Sequence, residues 1–387
     1  MDREVGARSS RMGYPRENRH RAGVAGRLGT YTPVARGVVV RGSACGTSDE
    51  GSFLGVGEFS ELRVCVAVAS RRVTSEAVEP FDSGLLTVKD GTQIYWETSG
   101  NPDGAAVVWL HGGPGAGLRS GGYRRTPDPK RWLIVGLDQR ACGRSRPLAT
   151  EPGFDLSTLT TQAMIADLED LREHLGIEKW LVAGGSWGTT LALAYGQAHP
   201  NRVTGFVLVL VTSGSHAEIQ WISESIGRVF PREWDAFNAA SGRRPGQRLL
   251  DAYVERLTDP DPQVRTAAAL AWCTWEDTHV SLDPSFTPWL TQQDRQFREL
   301  FALQVAHSWA HDAFLGERGI LDGIATIAHL PAVLIHGRLD VSGPLITAWE
   351  LHQRWPASRL VVIENEGHGG KDLSAAVSRA YADMLAD

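Results

Sequence analysis

The chain has 387 residues, a formal net charge of −6 and 42% apolar residues. That apolar share excludes disorder of the whole chain, and the mild negative charge argues against a nucleic-acid partner held by electrostatics. No run of about 18 consecutive apolar residues occurs, so no spanning helix and no membrane partner are expected.

Residues 1–80 hold 12 arginines against 9 acids, with no lysine and no tryptophan, and all 13 tryptophans lie in residues 81–387. The first 50 residues are rich in Gly, Arg and Ser and follow neither a strand nor a helix period, which reads as loop. The apolar run at 64–69 is too short and too late for a secretory signal. Asp2, Glu4 and Glu17 argue against a transit peptide. Residues 1–80 are therefore expected to be a poorly structured extension. The cysteines at 45, 65, 142 and 273 form no C-x-x-C pair, so a reducing, cytoplasmic setting is the default.

The body then alternates. Segments 84–89 and 92–97 flank Asp90-Gly91, a hairpin signal. Segments 105–110 and 132–137 are continuous apolar runs of the kind found in buried strands. Apolar residues recur at helical spacing over 159–175. Segment 180–183 reads as a strand, 189–198 as a helix and 203–211 as a strand. The last strand candidates are 332–336 and 360–363, with helices predicted at 345–354 and 373–385. This is an α/β pattern: a mostly parallel sheet with helices on both faces. Residues 215–328 break it with helix and loop carrying six tryptophans. The expected organisation is a core over 81–214 and 329–387 with a helical cap at 215–328. Such an insertion lies over the strand ends, where open α/β sheets bind ligands. Most of its tryptophans are expected to fill a helical core, with one or two in a pocket.

Gly184-Gly185-Ser186-Trp187-Gly188 follows a strand and opens a helix, which is the context a nucleophile elbow requires. A serine hydroxyl is a weak nucleophile at neutral pH and needs a base held by an acid. In this fold the order is Ser, Asp or Glu, then His. Asp340 follows strand 332–336, and His368 follows strand 360–363. Ser186, Asp340 and His368 thus fall at one sheet edge. Glu364 and Glu366 are rival acids but lie close to His368 in sequence. His307 and His311 share a helix face without a carboxylate-rich ligand set, so they read as packing or surface residues and no metal is expected. His111-Gly112-Gly113-Pro114-Gly115 follows strand 105–110. The N–H groups of Gly113 and Trp187 are the expected oxyanion donors. The phosphate-loop patterns G-x-G-x-x-G and G-x-x-x-x-G-K-[ST] and the metalloprotease pattern H-E-x-x-H are all absent, and no cofactor is expected.

Three stretches together carry a resemblance: His111-Gly112-Gly113-Pro114-Gly115, residues 138–145 (DQRACGRS) and residues 184–195. They resemble the proline iminopeptidases, α/β-hydrolases that release N-terminal proline from peptides. The resemblance covers residues 81–387. It implies Ser186 as nucleophile, Asp340 as orienting acid and His368 as base, with Asp138 and Arg140 in a supporting network. It also implies glutamates in the cap that recognise the free amino terminus. One sits in a Trp-Glu pair, matched here by Trp275-Glu276. At the position of the second, this chain has Val305, and Asp277 and Asp312 are the acids nearby in sequence. The expected partner is a short peptide or amino-acid amide. An esterase or amidase with no need of a free amine, and a non-catalytic binder on the same fold, are the alternatives. A carboxylate-nucleophile dehalogenase or epoxide hydrolase is excluded by Ser186.

Overall fold

In the computed structural model, which describes residues 78–119, 121–280 and 282–385, eight strands form one sheet. The expected N-terminal extension lies outside the described residues up to residue 77. Strands β1 (Asp82–Thr87) and β2 (Gln93–Gly100) form the predicted hairpin. They are followed by β3 (Ala105–Leu110), β4 (Trp132–Leu137), β5 (Trp180–Gly185), β6 (Val203–Val209), β7 (Ala332–Gly337) and β8 (Ser358–Ile363). The order across the sheet is β1-β2-β4-β3-β5-β6-β7-β8. β3 to β8 pair in parallel, while β2 runs antiparallel to β4.

The uninterrupted apolar runs have a simple cause. Successive side chains of a strand point to opposite faces, and both faces here are covered. Val108, Val182, Leu208 and Leu334 enter one buried cluster, and their neighbours Val107, Leu181, Val207 and Val333 enter the other. Helices α1 (Thr161–His174), α2 (Trp187–Ala198) and α8 (Ile346–Arg354) contribute Leu168, Leu171, Leu191 and Leu351 to the first cluster. Helix α9 (Lys371–Asp383) closes the second with Leu373, Val377 and Tyr381, spaced four apart on one face.

Between β6 and β7 the chain forms α3 (His216–Ser223), α4 (Pro231–Ser241), α5 (Leu249–Leu257), α6 (Pro262–His279) and α7 (Arg295–Ala310). Their starts are written locally. Asp261 caps α6 ahead of Pro262, whose missing N–H costs nothing at a first helical position. Asp294 caps α7 by accepting from the Phe297 N–H. The insertion has its own aromatic core: Phe237 stacks on Tyr253 and Trp275 at 4.6 and 5.1 Å, and Trp272 meets Tyr253 edge-on. The indole of Trp221 donates to the Val341 carbonyl at 2.8 Å, tying the insertion to the loop after β7.

β6 stops two residues before its apolar run ends. Leu210 turns into the left-handed region (φ 59°), and the Val211 N–H donates to His336 Nδ1 instead of to a neighbouring strand. Among the described residues, no helix is long and apolar enough to cross a membrane.

Candidate active site

Ser186 stands between β5 and α2 with φ 55° and ψ −128°. That backbone is strained for a residue with a Cβ, and it persists because the surroundings enforce it. The Ser186 N–H donates to Val209 O, and its carbonyl accepts from the Thr189 N–H and the Thr189 and Thr212 hydroxyls. Gly188 shows why the elbow needs glycine. A Cβ there would lie 2.0 Å from the Leu110 carbonyl oxygen. The helix can approach β3 only without a side chain at that point.

His368 Nδ1 lies 2.7 Å from Asp340 Oδ2. The other oxygen of Asp340 accepts from the Ser342 and Gly343 N–H groups, both at 3.1 Å. Burial alone would raise the Asp340 carboxyl; His368 and these bonds hold it below its ordinary value. Burial would likewise lower His368, but the Asp340 charge and hydrogen bond outweigh it and leave the imidazole above its ordinary pKa. An ionised Asp340 accepts the Nδ1 proton, so Nε2 is the basic nitrogen of a neutral His368. A second histidine braces this loop. His336 Nδ1 accepts from Val211, which leaves its Nε2–H to donate to the Gly343 carbonyl at 2.6 Å. Burial keeps that ring neutral.

The loop after β3 runs directly over the serine. A Cβ on Gly112 would stand 3.2 Å from the Ser186 Cβ, and Gly113 has φ 110°. Among the described residues, neither the Gly113 nor the Trp187 N–H is engaged in a hydrogen bond. Gln139 links the two segments. Its amide donates to the His111 carbonyl at 2.8 Å, and its carbonyl oxygen accepts from the Trp187 indole at 3.0 Å. The Gln139 N–H also donates to His111 Nε2. Asp138 takes the Leu118 N–H and the Arg144 guanidinium, and Arg140 forms a buried pair with Asp167.

Gly113, Ser186, Trp187, Glu276 and His368 all line one cavity of about 310 Å³. Asp340 stands behind His368. Trp289 and Trp309 of the insertion are in the wall, whereas Trp272 and Trp275 are fully buried in the helical core. Glu276 is 7% exposed, accepts from the Trp272 indole at 3.2 Å, and lies 3.8 Å from His279. Burial pushes its carboxyl up to about 7, and it pushes His279 down to about 3. Glu276 is therefore a carboxylate short of positive charge.

The other candidate acids are committed elsewhere. Asp277 accepts from the Trp289, Leu290 and Thr291 N–H groups, and Asp312 pairs with His216 at 2.9 Å. Glu364 pairs with Arg338, and Glu366 caps α9 through the Asp372 and Leu373 N–H groups. Val305 is fully buried. The rings of His307 and His311 meet at a tilt with centroids 4.6 Å apart, and no metal-holding cluster occurs among the described residues. One lining acid escaped sequence reasoning: Glu218. It accepts from the Ser213 and Gly214 N–H groups and from Thr347. Its only sequence signal is the pattern Ser215-x-x-Glu218, which reads as an ordinary capping box.

A serine on a strand-to-helix elbow, sharing one cavity with a histidine that is paired to a buried aspartate at the C-terminal edge of a parallel sheet, defines an α/β-hydrolase. The family model described as alpha/beta hydrolase fold matches residues 105–373. The chain belongs to the proline iminopeptidase family within that fold. It is 45% identical over 297 residues to a probable proline iminopeptidase of Streptomyces coelicolor, covering 75% of this chain and 91% of that one. It is 40% identical over 315 residues to the proline iminopeptidase of Neisseria gonorrhoeae, covering 80% and 98%. The solved proline iminopeptidase of Mycobacterium smegmatis shares the fold, with TM-score 0.52 and 18% identity over 79% of this chain and 98% of that one.

Proposed function

We propose that the protein is a serine aminopeptidase that releases N-terminal proline from short peptides or amino-acid amides. The observation that carries this reading is one cavity holding Ser186, His368 and the buried Glu276 carboxylate. Neutral His368 takes the Ser186 proton through Nε2 as Oγ attacks the carbonyl carbon. The Gly113 and Trp187 N–H groups receive the developing oxyanion. His368 then passes that proton to the leaving amine as the C–N bond breaks. Water, deprotonated by the same imidazole, releases the acyl group from Ser186. Asp340 keeps the tautomer and steadies the imidazolium throughout.

Glu276 selects the substrate. Burial makes its charge costly, and a substrate ammonium gives that charge a partner. The helical insertion acts as the cap that carries Glu276 and encloses the amino-terminal residue. The same reading places the enzyme in a reducing cytoplasm, supported by the free buried thiols Cys142 and Cys273.

The test is hydrolysis of a proline arylamide and of its N-acylated form. Wild type cleaves the first and not the second. Ser186→Ala loses on the order of 10⁴–10⁶-fold in turnover. Equal turnover of both substrates turns the reading into an unspecialised amidase, and an active Ser186→Ala removes the serine mechanism.

A further inference from the structure

Six residues beyond Gly113, one cation stands without an anion. The Arg119 guanidinium lies 3.9 Å from the centroid of the Trp289 ring and 5.7 Å from that of Phe297. Trp289 lines the cavity that holds Ser186. Arg119 lines an adjoining depression of about 390 Å³, which shares Ala116 with that cavity. Its own side chain is exposed, so the guanidinium stands at the rim, where the enclosed site meets solvent.

The other charges of this depression are already engaged. Arg144 donates to Asp138 and Glu97, and Arg146 donates to the Gly143 and Ser145 carbonyls. Asp138 accepts from the Leu118 N–H and from Arg144, and Asp294 caps α7. Among the described residues, no hydrogen bond or ion pair engages Arg119. Stacking on an indole covers a face of the guanidinium and leaves the edge, where the N–H groups lie, free. That edge is a planar fork matched to a carboxylate. Arg119 also holds φ 53°, a left-handed backbone that costs a non-glycine residue about 1 kcal/mol. Such strain gathers where function retains it.

The cavity is at the small end of ligand sites, about 300–1,000 Å³. It encloses the residue being released, and the rest of a peptide must continue to the rim. We propose that Arg119 receives the C-terminal carboxylate of a short peptide, so that the enzyme favours free di- and tripeptides over longer or C-terminally amidated chains. This rests on the aminopeptidase reading and adds a second anchor to it. Glu276 holds the amino end and Arg119 the carboxyl end, which measures substrate length.

The experiment compares prolyl tripeptides ending in a free acid with the same peptides ending in an amide, alongside proline arylamide. In wild type, kcat/KM for the acid exceeds that for the amide on the order of ten-fold, mainly through KM, and the ratio shrinks with added salt. In Arg119→Met the ratio falls towards one, and Arg119→Lys keeps only part of it, because lysine lacks the fork. Circular dichroism and thermal melting establish that the variants fold. A wild-type ratio within about two-fold, which needs no variant, overturns the proposal, as does an unchanged ratio in folded Arg119→Met. If wild type cleaves proline arylamide without discriminating acid from amide, only the carboxylate anchor fails. If it cleaves neither arylamide nor peptide, the aminopeptidase reading fails with it.

Discussion

Glu276→Gln separates what this carboxylate costs the fold from what it gives the substrate. The carboxyl is displaced from 4.5 to about 7 because burial penalises its charge. At about 1.4 kcal/mol per pH unit, the ionised form costs the folded enzyme about 3 kcal/mol. The sign follows from linkage. The folded pKa is raised, so the penalty is absent below about pH 4.5, grows between 4.5 and about 7, and is complete above. Glutamine keeps an acceptor for the Trp272 indole and carries no charge. Urea unfolding at pH 5 and pH 8 should therefore show Glu276→Gln close to wild type at pH 5 and more stable at pH 8, by up to about 3 kcal/mol. Activity should move the other way. Losing a buried partner for the substrate ammonium costs about 3–5 kcal/mol, or on the order of 10²- to 10⁴-fold in kcat/KM on proline arylamide. The wild-type kcat/KM should also rise with pH through about 7 as Glu276 ionises, and the glutamine variant should lose that component of the profile. A variant no more stable at pH 8 than at pH 5 relative to wild type would refute the burial argument. One that keeps kcat/KM within about three-fold would refute the role in substrate binding.

Gly188→Ala drives a Cβ to 2.0 Å from the Leu110 carbonyl oxygen, so the helix and β3 must separate; the expected result is a loss of several kcal/mol in stability, read by thermal melting, with little soluble enzyme. Gln139→Met breaks both bonds that hold the loop over Ser186 to the Trp187 indole. In the proposed mechanism Gln139 positions the oxyanion donors without touching the reacting atoms, so kcat should fall about ten-fold while KM changes little. A proportionate change in KM would show that it shapes the cavity instead.

The sequence by itself determined the fold class and the catalytic candidates. Unbroken apolar runs mark strands buried on both faces, and Val107–Val108 and Val207–Leu208 do enter opposite clusters. The elbow was legible because its glycines answer a local steric demand, and the order Ser186, Asp340, His368 placed each after a strand. Boundaries were blurred where a long-range bond intervenes. β6 ends at Val209 because His336, 125 residues beyond Val211, captures that N–H.

Only the tertiary structure decided which acids are free. In sequence the family resemblance singles out Glu276, but nothing there says which of Glu276, Asp277, Asp312, Glu364 and Glu366 already has a partner. In the fold, backbone N–H groups consume Asp277 and Glu366, the His216 ring and the Arg338 guanidinium face Asp312 and Glu364, and Glu276 alone of the five lines the cavity. The stacking of Arg119 on Trp289, 170 positions away, and the bridge from Gln139 to Trp187 were equally invisible. The physical reason is common to all of them. Strand and helix period, and turn geometry, are set by neighbours along the chain. Desolvation and charge pairing are set by whatever folding brings close in space.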